Sequence, residues 1–438
     1  MLLCRIKIVL LVLTVFAVLT SRPCLGNYDY IDITNPFLRK IPMVISCFST
    51  VNRGNDEVDL AAKNRELLRK SLEFTSYFSI IHNKILTPDN GSKTALTRPN
   101  FKKWTDSGAE ILITGNVEII NKSMKLELRL YDTVNKKMLF GKSYKTAINN
   151  SRRVIHRFCS EVIYYITGSR GIFYSKIAFL SSAAGKKEIY ICDFDGYNPK
   201  RFTYSNSITL FPAWSSDGKW IAYTSFEKGK PDIFIKSLDK KKSYLINFKG
   251  TNSTPAWVPG KFELAASLSH SGDPEIYLLT GTGKINKRLT RSRDSDLSPT
   301  WSPDGTKMAF VSKRAGTPQI HIKDIASGKT TRLTFMGKYN TQPEWSPKGD
   351  KIAYSAIENG EINIYVIDSK GKYPPVRLTS NAGNNESPSW SPDGSLIVFS
   401  STREGTPRIY VMNAFGTDQR RLLSMPGEQT NPGWSPRF

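Results

Sequence analysis

The chain has 438 residues, of which 39% are apolar and 11% are aromatic, and this composition excludes a wholly disordered protein. Its length is sufficient for two or three domains. The formal net charge is +24, but the Lys and Arg residues are scattered through the sequence rather than gathered into a stripe, which argues against a nucleic-acid-binding function.

Residues 1–26 have the pattern of a signal peptide: a basic start followed by an apolar run at 8–19 that is too short for a comfortable membrane span. Small residues support cleavage after Gly26, and a lipid anchor on Cys24 is the alternative. No second apolar stretch approaches membrane length, so we expect an exported protein. Removal of residues 1–26 takes away three basic residues and no acidic residue, so the mature chain has a net charge of +21. This charge would favour binding to anionic envelope polymers or lipid headgroups, or would serve solubility alone.

The region 27–170 has no internal repeat and mixes helix and strand patterns, which predicts an α/β domain. We expect strands at 41–48, 111–117 and 125–131, and helices at 56–74 and 152–166, the last ended by Gly168. Three cysteines follow residue 26: Cys47, Cys159 and Cys192. This sparse, odd number does not form a disulfide framework, so a Cys47–Cys159 bridge and buried free thiols both stay open.

The phrase Pro-x-Trp recurs six times between residues 171 and 438, with the tryptophans at 214, 257, 301, 345, 390 and 434. Successive tryptophans are 43, 44, 44, 45 and 44 residues apart, and most are followed by a turn such as SPDG. Each unit contains four strand patterns separated by turn signals. A four-stranded unit with a period of 40–45 residues is typical of a β-propeller blade, with the Trp wedged between blades.

The first and last units complement each other. The first, starting at Lys176, has no Pro-x-Trp strand before it, and the last Pro-x-Trp, at 432–434, has no strands after it. We therefore predict that the C-terminal strand pairs into the first blade, which closes a six-bladed ring and removes exposed sheet edges. The predicted fold class is an N-terminal α/β domain at 27–170 followed by this propeller at 171–438.

The sequence lacks the common catalytic and metal-binding motifs H-E-x-x-H, C-x-x-C and G-x-S-x-G, so we expect no enzyme activity, cofactor or metal. His321 occupies a slot held by Tyr or Phe in other blades and is interpreted as a core residue. The loops before the Pro-x-Trp strands should meet at one rim around the channel mouth. They are rich in Asn, Ser and Thr, which either form hydrogen bonds to a partner or shape the turns; the candidates include Asn252, Asn340, Thr341, Asn385 and Glu386.

Several phrases add to the repeat: GAEILITG at 108–115, ITG at 166–168 and DFDGYN at 193–198. With the export signal and the six blades, these make the whole mature chain similar to the TolB family, the periplasmic propellers of the Tol–Pal system. The resemblance implies a non-enzymatic periplasmic adaptor, most simply a monomer. It also implies binding of the lipoprotein Pal at the channel-mouth rim, where the positions that best match the family's contact loops are Thr251, Thr254, Leu297 and Ser298.

The resemblance further implies a second partner, the inner-membrane protein TolA. The extended start of the mature chain would bind it by adding a strand to the partner's sheet, and this segment comprises Asn27, Tyr28, Asp29, Tyr30, Ile31, Asp32 and Ile33. Such an adaptor would support outer-membrane integrity and envelope constriction at division. The alternative function is a propeller-type envelope hydrolase or glycan-binding protein with a site in the channel.

Overall fold

The structure is a computed structural model, and it describes residues 39–52, 54–82, 99–239 and 241–438. The predicted signal peptide at 1–26 and the predicted partner-binding segment at 27–33 lie outside these ranges. Within them, none of the helices combines the length and the apolar character needed to cross a bilayer.

The first domain is an α/β unit, as predicted. Its strands are β1 (Ile41–Ile45), β2 (Ser49–Thr50), β3 (Phe78–Ile80), β4 (Ile111–Ile120), β5 (Ser123–Asp132) and β6 (Lys137–Ala147). Its helices are α1 (Asn55–Phe74), α2 (Phe101–Asp106) and α3 (Ser151–Thr167), with a 3₁₀ turn at Ile148–Asn150. The sheet order is β3-β1-β4-β5-β6, with β2 beside β4. Strand β1 pairs in parallel with β3 and with β4, and β2 pairs in parallel with β4. Strands β4, β5 and β6 form an antiparallel meander.

The sequence patterns explain these elements. Alternate residues of β5 are buried, as expected for a sheet with one face on the core. Helix α3 buries one face and ends at Gly168, whose φ of 73° is the left-handed conformation that glycine adopts without steric cost. Strand β6 was not predicted because its side chains are mostly exposed and polar, so its hydrophobic alternation is weak. It forms the edge of the sheet, and no described strand pairs with its outer side.

The six blades each contain four antiparallel strands. The first blade contains β10 (Thr209–Trp214), β11 (Trp220–Ser225), β12 (Asp232–Ser237) and β13 (Ser243–Ile246), and the second contains β14 (Asn252–Trp257), β15 (Glu263–Leu268), β16 (Glu275–Thr280) and β17 (Ile285–Arg288). The third contains β18 (Asp296–Trp301), β19 (Lys307–Ser312), β20 (Gln319–Asp324) and β21 (Thr330–Arg332), and the fourth contains β22 (Asn340–Trp345), β23 (Lys351–Glu358), β24 (Glu361–Asp368) and β25 (Val376–Arg377). The fifth contains β26 (Asn385–Trp390), β27 (Leu396–Ser401), β28 (Arg408–Asn413) and β29 (Arg420–Arg421).

The sixth blade confirms the predicted closure. It combines the C-terminal strand β30 (Gln429–Trp434) with β7 (Lys176–Ala184), β8 (Lys186–Asp193) and β9 (Lys200–Arg201). Strand β30 pairs antiparallel with β7, placing Trp434 opposite Ile177. The join is reinforced because the Trp434 indole donates to Ser175 Oγ at 2.9 Å. The last strand of the chain therefore completes the sheet that the first propeller strands begin.

The Pro-x-Trp motif also explains how neighbouring blades hold together. Six strands carry it (β10, β14, β18, β22, β26 and β30), and we call them the inner strands because together they line the channel. The indole N–H of Trp257 donates to the carbonyl of Ala213 at 3.1 Å, and that of Trp301 to Ala256 at 3.2 Å. The Trp214 indole reaches Gly433 across the closure at 3.0 Å. Each of these tryptophans thus packs between blades and satisfies its polar group on the preceding inner strand, in agreement with the prediction.

The tight turns after the inner strands depend on glycine. Gly305 has a φ of 69° in the SPDG turn, a conformation that a residue with a Cβ adopts only at a cost. In the second blade the sequence Trp257-Val-Pro-Gly differs from this turn motif but has the same geometry. Gly260 has a φ of 70°, and the N–H of Val258 donates to the carbonyl of Glu263 as the N–H of Ser302 does to that of Lys307. His321 is buried and packs against Phe310, which confirms that it replaces an aromatic residue of the core.

The propeller has two different rims. The docked rim comprises the turns after the inner strands and those between the third and fourth strands, and it carries the first domain. There, Arg152 of α3 binds Asp195 at 2.6 Å, and Arg420 donates to the carbonyl of Phe74 at 2.5 Å. The open rim comprises the loops that precede the inner strands and the hairpins between second and third strands. It faces away from the first domain because strand direction alternates within each blade.

The three cysteines that the structure describes are free thiols. Cys159 and Cys192 are buried, whereas Cys47 is exposed. Of the two alternatives left open, the Cys47–Cys159 bridge is therefore not formed in this structure.

Candidate binding surface at the open rim

Three of the predicted rim residues, Asn252, Asn340 and Asn385, begin their inner strands and are at most 1% exposed. Their amides donate to carbonyls of the loops that precede them: Asn252 to Phe248 and Asn340 to Met336, both at 2.9 Å. These asparagines fix the loops in place because a buried amide is stable only when it is hydrogen-bonded. Their contribution to the rim is the shape of the loops rather than an accessible side chain.

The other six predicted rim residues are accessible to solvent. Thr251 is exposed, and the partly exposed ones are Thr254, Leu297, Ser298, Thr341 and Glu386. They lie on four of the six inner strands or the loops before them, so the fold brings them around one channel mouth. Burial raises the pKa of the Glu386 carboxyl, while the nearby charge of Lys187 opposes that shift.

The residue before each proline of the inner strands is in the left-handed conformation. Its φ is 49° at Thr254, 51° at Ser298 and 51° at Gln342, and the same holds at Phe211, Ser387 and Asn431. At this point the pairing with the second strand shifts its register, which is a β-bulge. Non-glycine residues reach this conformation at a cost of about 1–3 kcal/mol each, so surrounding contacts must hold it. We call these six residues the channel belt.

Hydrogen bonds between blades stabilise the channel belt. The Thr254 hydroxyl accepts from the backbone N–H of Ser298 at 3.3 Å and contacts the Ser267 hydroxyl at 2.8 Å. The Gln342 side chain accepts from the N–H of Ser387 at 3.0 Å. Thr254 and Ser298 therefore serve the ring itself, and a substitution at either changes the belt as well as the surface of the mouth.

The channel contains a cavity of about 580 Å³ that is lined by the channel belt and by the prolines and tryptophans of the inner strands. Glu344 is a half-buried residue of this wall. Desolvation of its carboxyl raises the pKa to about 7, and a hydrogen bond with Thr300 partly offsets the effect. Within the described ranges, His, Cys, Asp and Glu side chains form no group of three or more that could hold a metal ion.

Two apolar clusters flank the open mouth, and the sequence did not predict them. The first comprises Tyr204, Ile208 and Phe226, and the second comprises Phe335, Met336, Tyr339 and Ile357. Each joins a loop before an inner strand to the neighbouring hairpin: the N–H of Phe226 donates to Ile208, and that of Ile357 donates to Tyr339, both at 3.0 Å. Phe335 is 73% exposed and Tyr204 is 71% exposed.

The position of the clusters follows from the ring. They belong to the blades that begin with β10 and β22, which are three steps apart among six, so they lie on opposite sides of the mouth. Large apolar side chains grouped on a surface are typical of a protein interface. Alignment of the six loops could have revealed part of the second cluster, because Phe335 and Tyr339 stand where the loop before β14 has Asn247 and Thr251.

Comparisons with known proteins point to the same family for both domains of the chain. A family model described as the TolB beta propeller domain matches residues 164–438, and one described as the TolB amino-terminal domain matches residues 29–139. A protein TolB homolog of Chlorobium luteolum is 42% identical over 411 residues, which cover 93% of this chain and 92% of that protein.

A Tol-Pal system protein TolB of Desulfosudis oleivorans is 52% identical over 284 residues. That match covers 64% of this chain and 65% of the relative, just under two thirds of its length. Among solved structures, the crystal structure of TolB from Acinetobacter baumannii superposes with a TM-score of 0.79 at 27% identity. It covers 91% of this chain and 97% of that one.

Proposed function

This chain belongs to the TolB family of the Tol-Pal system, and from that premise we propose that it is a non-enzymatic adaptor of the periplasm. Its open rim binds a Pal-like lipoprotein, and its segment 27–33 binds a TolA-like inner-membrane protein by strand addition. In this role it supports outer-membrane integrity and envelope constriction at division.

The observation that carries the proposal is the pair of apolar clusters on opposite sides of the open mouth. A partner that covers the mouth would bury both clusters at once, and interface energy concentrates in such aromatic side chains. The accessible polar residues between them, Thr251, Thr341 and Glu386, would supply hydrogen bonds at the same surface. First-domain contacts lie at the docked rim, so among the described residues the open rim is the end of the propeller that the first domain does not cover.

The test is capture of the periplasmic domain of a Pal-like lipoprotein from the same organism by the whole chain. A Phe335→Ala/Tyr339→Ala variant should weaken binding by about 100-fold, because each large interface aromatic contributes about 1–2 kcal/mol or more. The matched control is Tyr373→Ala, which removes an aromatic side chain that is 70% exposed in the β24–β25 turn at the docked rim. This control should bind within about twofold of the parent.

A second arm separates the two partners. Deletion of residues 27–33 should abolish capture of the TolA-like protein and leave capture of the lipoprotein measurable. Equal binding by the Phe335→Ala/Tyr339→Ala variant and the parent would overturn the proposed surface. Turnover of an envelope glycan that is abolished by Glu344→Gln would instead favour the alternative function, a channel hydrolase.

A further inference from the structure

A cleft of about 1000 Å³ lies between the first domain and the end of the chain. Its walls are the edge strand β6, the helix α3, the segment that links the domains, and the C-terminal residues Arg437 and Phe438. We call it the interdomain cleft. It lies away from the open rim and shares only Arg437 with the lining of the channel cavity, and the proposed adaptor function does not use it.

The charge of the interdomain cleft is strongly unbalanced. Six cationic side chains line it: Lys142, Lys145, Arg153, Arg157, Arg170 and Arg437. A single carboxylate, Glu161, faces them and pairs with Lys142 at 2.9 Å and more distantly with Arg157 at 3.9 Å. In the part of the chain that the structure describes, Lys145, Arg153, Arg170 and Arg437 form no ion pair. The cleft therefore concentrates positive charge that the described side chains around it do not neutralise.

The cations converge instead of pointing apart. The charges of Arg157, Arg153 and Arg437 all act on the Tyr174 phenol at the base of the cleft. Burial lowers the pKa of Arg437, and the neighbouring charge of Arg170 lowers it further. Arg437 is held in position by its hydrogen bond to Ser160 Oγ at 2.9 Å. Arg170 and Arg437 therefore repel each other, and an anion bound between them would relieve that repulsion.

Two further donors are available at the same place. The hydroxyl of Tyr144 is buried and has no hydrogen-bond partner among the described residues. The outer backbone edge of β6 likewise has no described strand beside it. An orphan hydroxyl beside several guanidinium groups is the donor set expected around an anionic acceptor.

We propose that the interdomain cleft binds a phosphate-bearing ligand through Arg153, Arg157, Arg170 and Arg437. Guanidinium groups present paired N–H donors that match phosphate oxygens, and several of them around one compact site favour a multiply charged anion. Both a soluble phosphate ester and a phospholipid headgroup present this chemistry. An acidic peptide along the β6 edge is a different class of ligand, and the converging arginines favour phosphate over it.

The test measures binding to the whole chain by calorimetry with inorganic pyrophosphate, and by co-sedimentation with vesicles that contain phosphatidylglycerol. The variant is Arg153→Gln/Arg170→Gln, since both side chains are exposed and neither forms a described side-chain hydrogen bond. Its affinity should fall by about tenfold or more for whichever source binds. The control Lys241→Gln/Lys242→Gln removes the same charge from an exposed turn and should stay within about twofold.

The two arms identify the source, because pyrophosphate binding alone indicates a soluble ester and vesicle binding alone indicates a headgroup. Equal weakening in the variant and the control would overturn the proposal, since it would show only general charge attraction. Binding of neither probe at physiological salt would also overturn it. So would binding of a poly-glutamate peptide, lost in the variant, without binding of either phosphate probe.

Discussion

The two rims of the propeller consist of the same repeated unit, yet they present opposite surfaces. At the docked rim, charged side chains of the propeller pair with the first domain, as Asp195 and Asp193 do with Arg152. At the open rim, Phe335 and Tyr204 remain largely exposed although the strands beneath them are equally well packed. The repeat thus determines the backbone of both ends, and a few loop residues determine whether an end is satisfied within the molecule or left for a partner.

The largest effect is expected from a change that prevents closure of the propeller ring, because both rims depend on that closure. Deletion of residues 430–438 removes Trp434 and most of β30, so β7 becomes an open edge and the ring cannot close. Loss of a buried Trp alone costs about 3–5 kcal/mol, and the lost strand pairing adds to it. We expect calorimetry to show no single cooperative transition, together with loss of lipoprotein binding.

Deletion of Phe438 alone is the control for that truncation. Phe438 packs edge-on against Trp214 and donates its N–H to Tyr174 at 3.1 Å, but it lies beyond the closing strand. This shorter deletion should lower the melting temperature and keep a cooperative transition. If the long deletion melts and binds as the full chain does, closure by β30 does not stabilise the ring.

A smaller effect is expected at the docked rim only. Arg152→Ala removes the bonds to Asp195 and the contact of the guanidinium with the Tyr197 ring at 4.0 Å. Because both partners are mostly buried, the free energy of unfolding should fall by about 2–3 kcal/mol in urea titration. Arg39→Ala, which breaks an exposed pair with Glu110, should cost less than about 1 kcal/mol.

The Arg152→Ala variant should also change the pKa of a neighbouring histidine, His156. Burial, and secondarily the charge of Arg152, lower the pKa of His156 to about 4. Without Arg152 the pKa of His156 should rise, which NMR titration of that imidazole would detect. An unchanged His156 pKa would show that burial alone sets it and that the charge at this rim has no influence.

The smallest effect is expected in the channel between the rims. The Glu344 carboxyl has an ordinary pKa of 4.5 and a pKa of about 7 in the fold, so the folded state holds the proton more tightly than the unfolded chain. The free energy of unfolding should therefore fall as pH rises from about 4.5 to about 7. Glu344→Gln removes this dependence and should melt about 1–3 °C above the parent at pH 8.

At pH 4 the Glu344→Gln variant and the parent should melt together, because the parent carboxyl is then largely protonated in both the folded and the unfolded chain. Asp273→Asn, which changes an exposed carboxylate in a hairpin of the open rim, is the matched control and should show no gain at either pH. A gain of equal size at both pH values would mean that shape, and not the buried charge, distinguishes Gln from Glu at this position.

Sequence patterns predicted the architecture well where they were local and repeated. The helix Asn55–Phe74 and the helix Ser151–Thr167 with its glycine end matched expectation within a residue or two. Strand β6 escaped detection because an exposed edge strand needs no apolar alternation. The rim prediction was less specific: it chose polar loop residues, of which Asn252, Asn340 and Asn385 are buried, and it passed over the apolar side chains beside them.

The sequence by itself determined the six blades, their four strands and the closure by β30, because turn residues and a fixed spacing of Pro-x-Trp act within about 45 residues. Only the tertiary structure decided which loop residues face solvent, that Glu344 is desolvated in the channel, and that Arg153, Arg170 and Arg437 share one cleft. Those properties depend on solvent exclusion and electrostatics between residues hundreds of positions apart. Solvation and charge are thus set by the assembled surface, whereas the ring is encoded in each repeat.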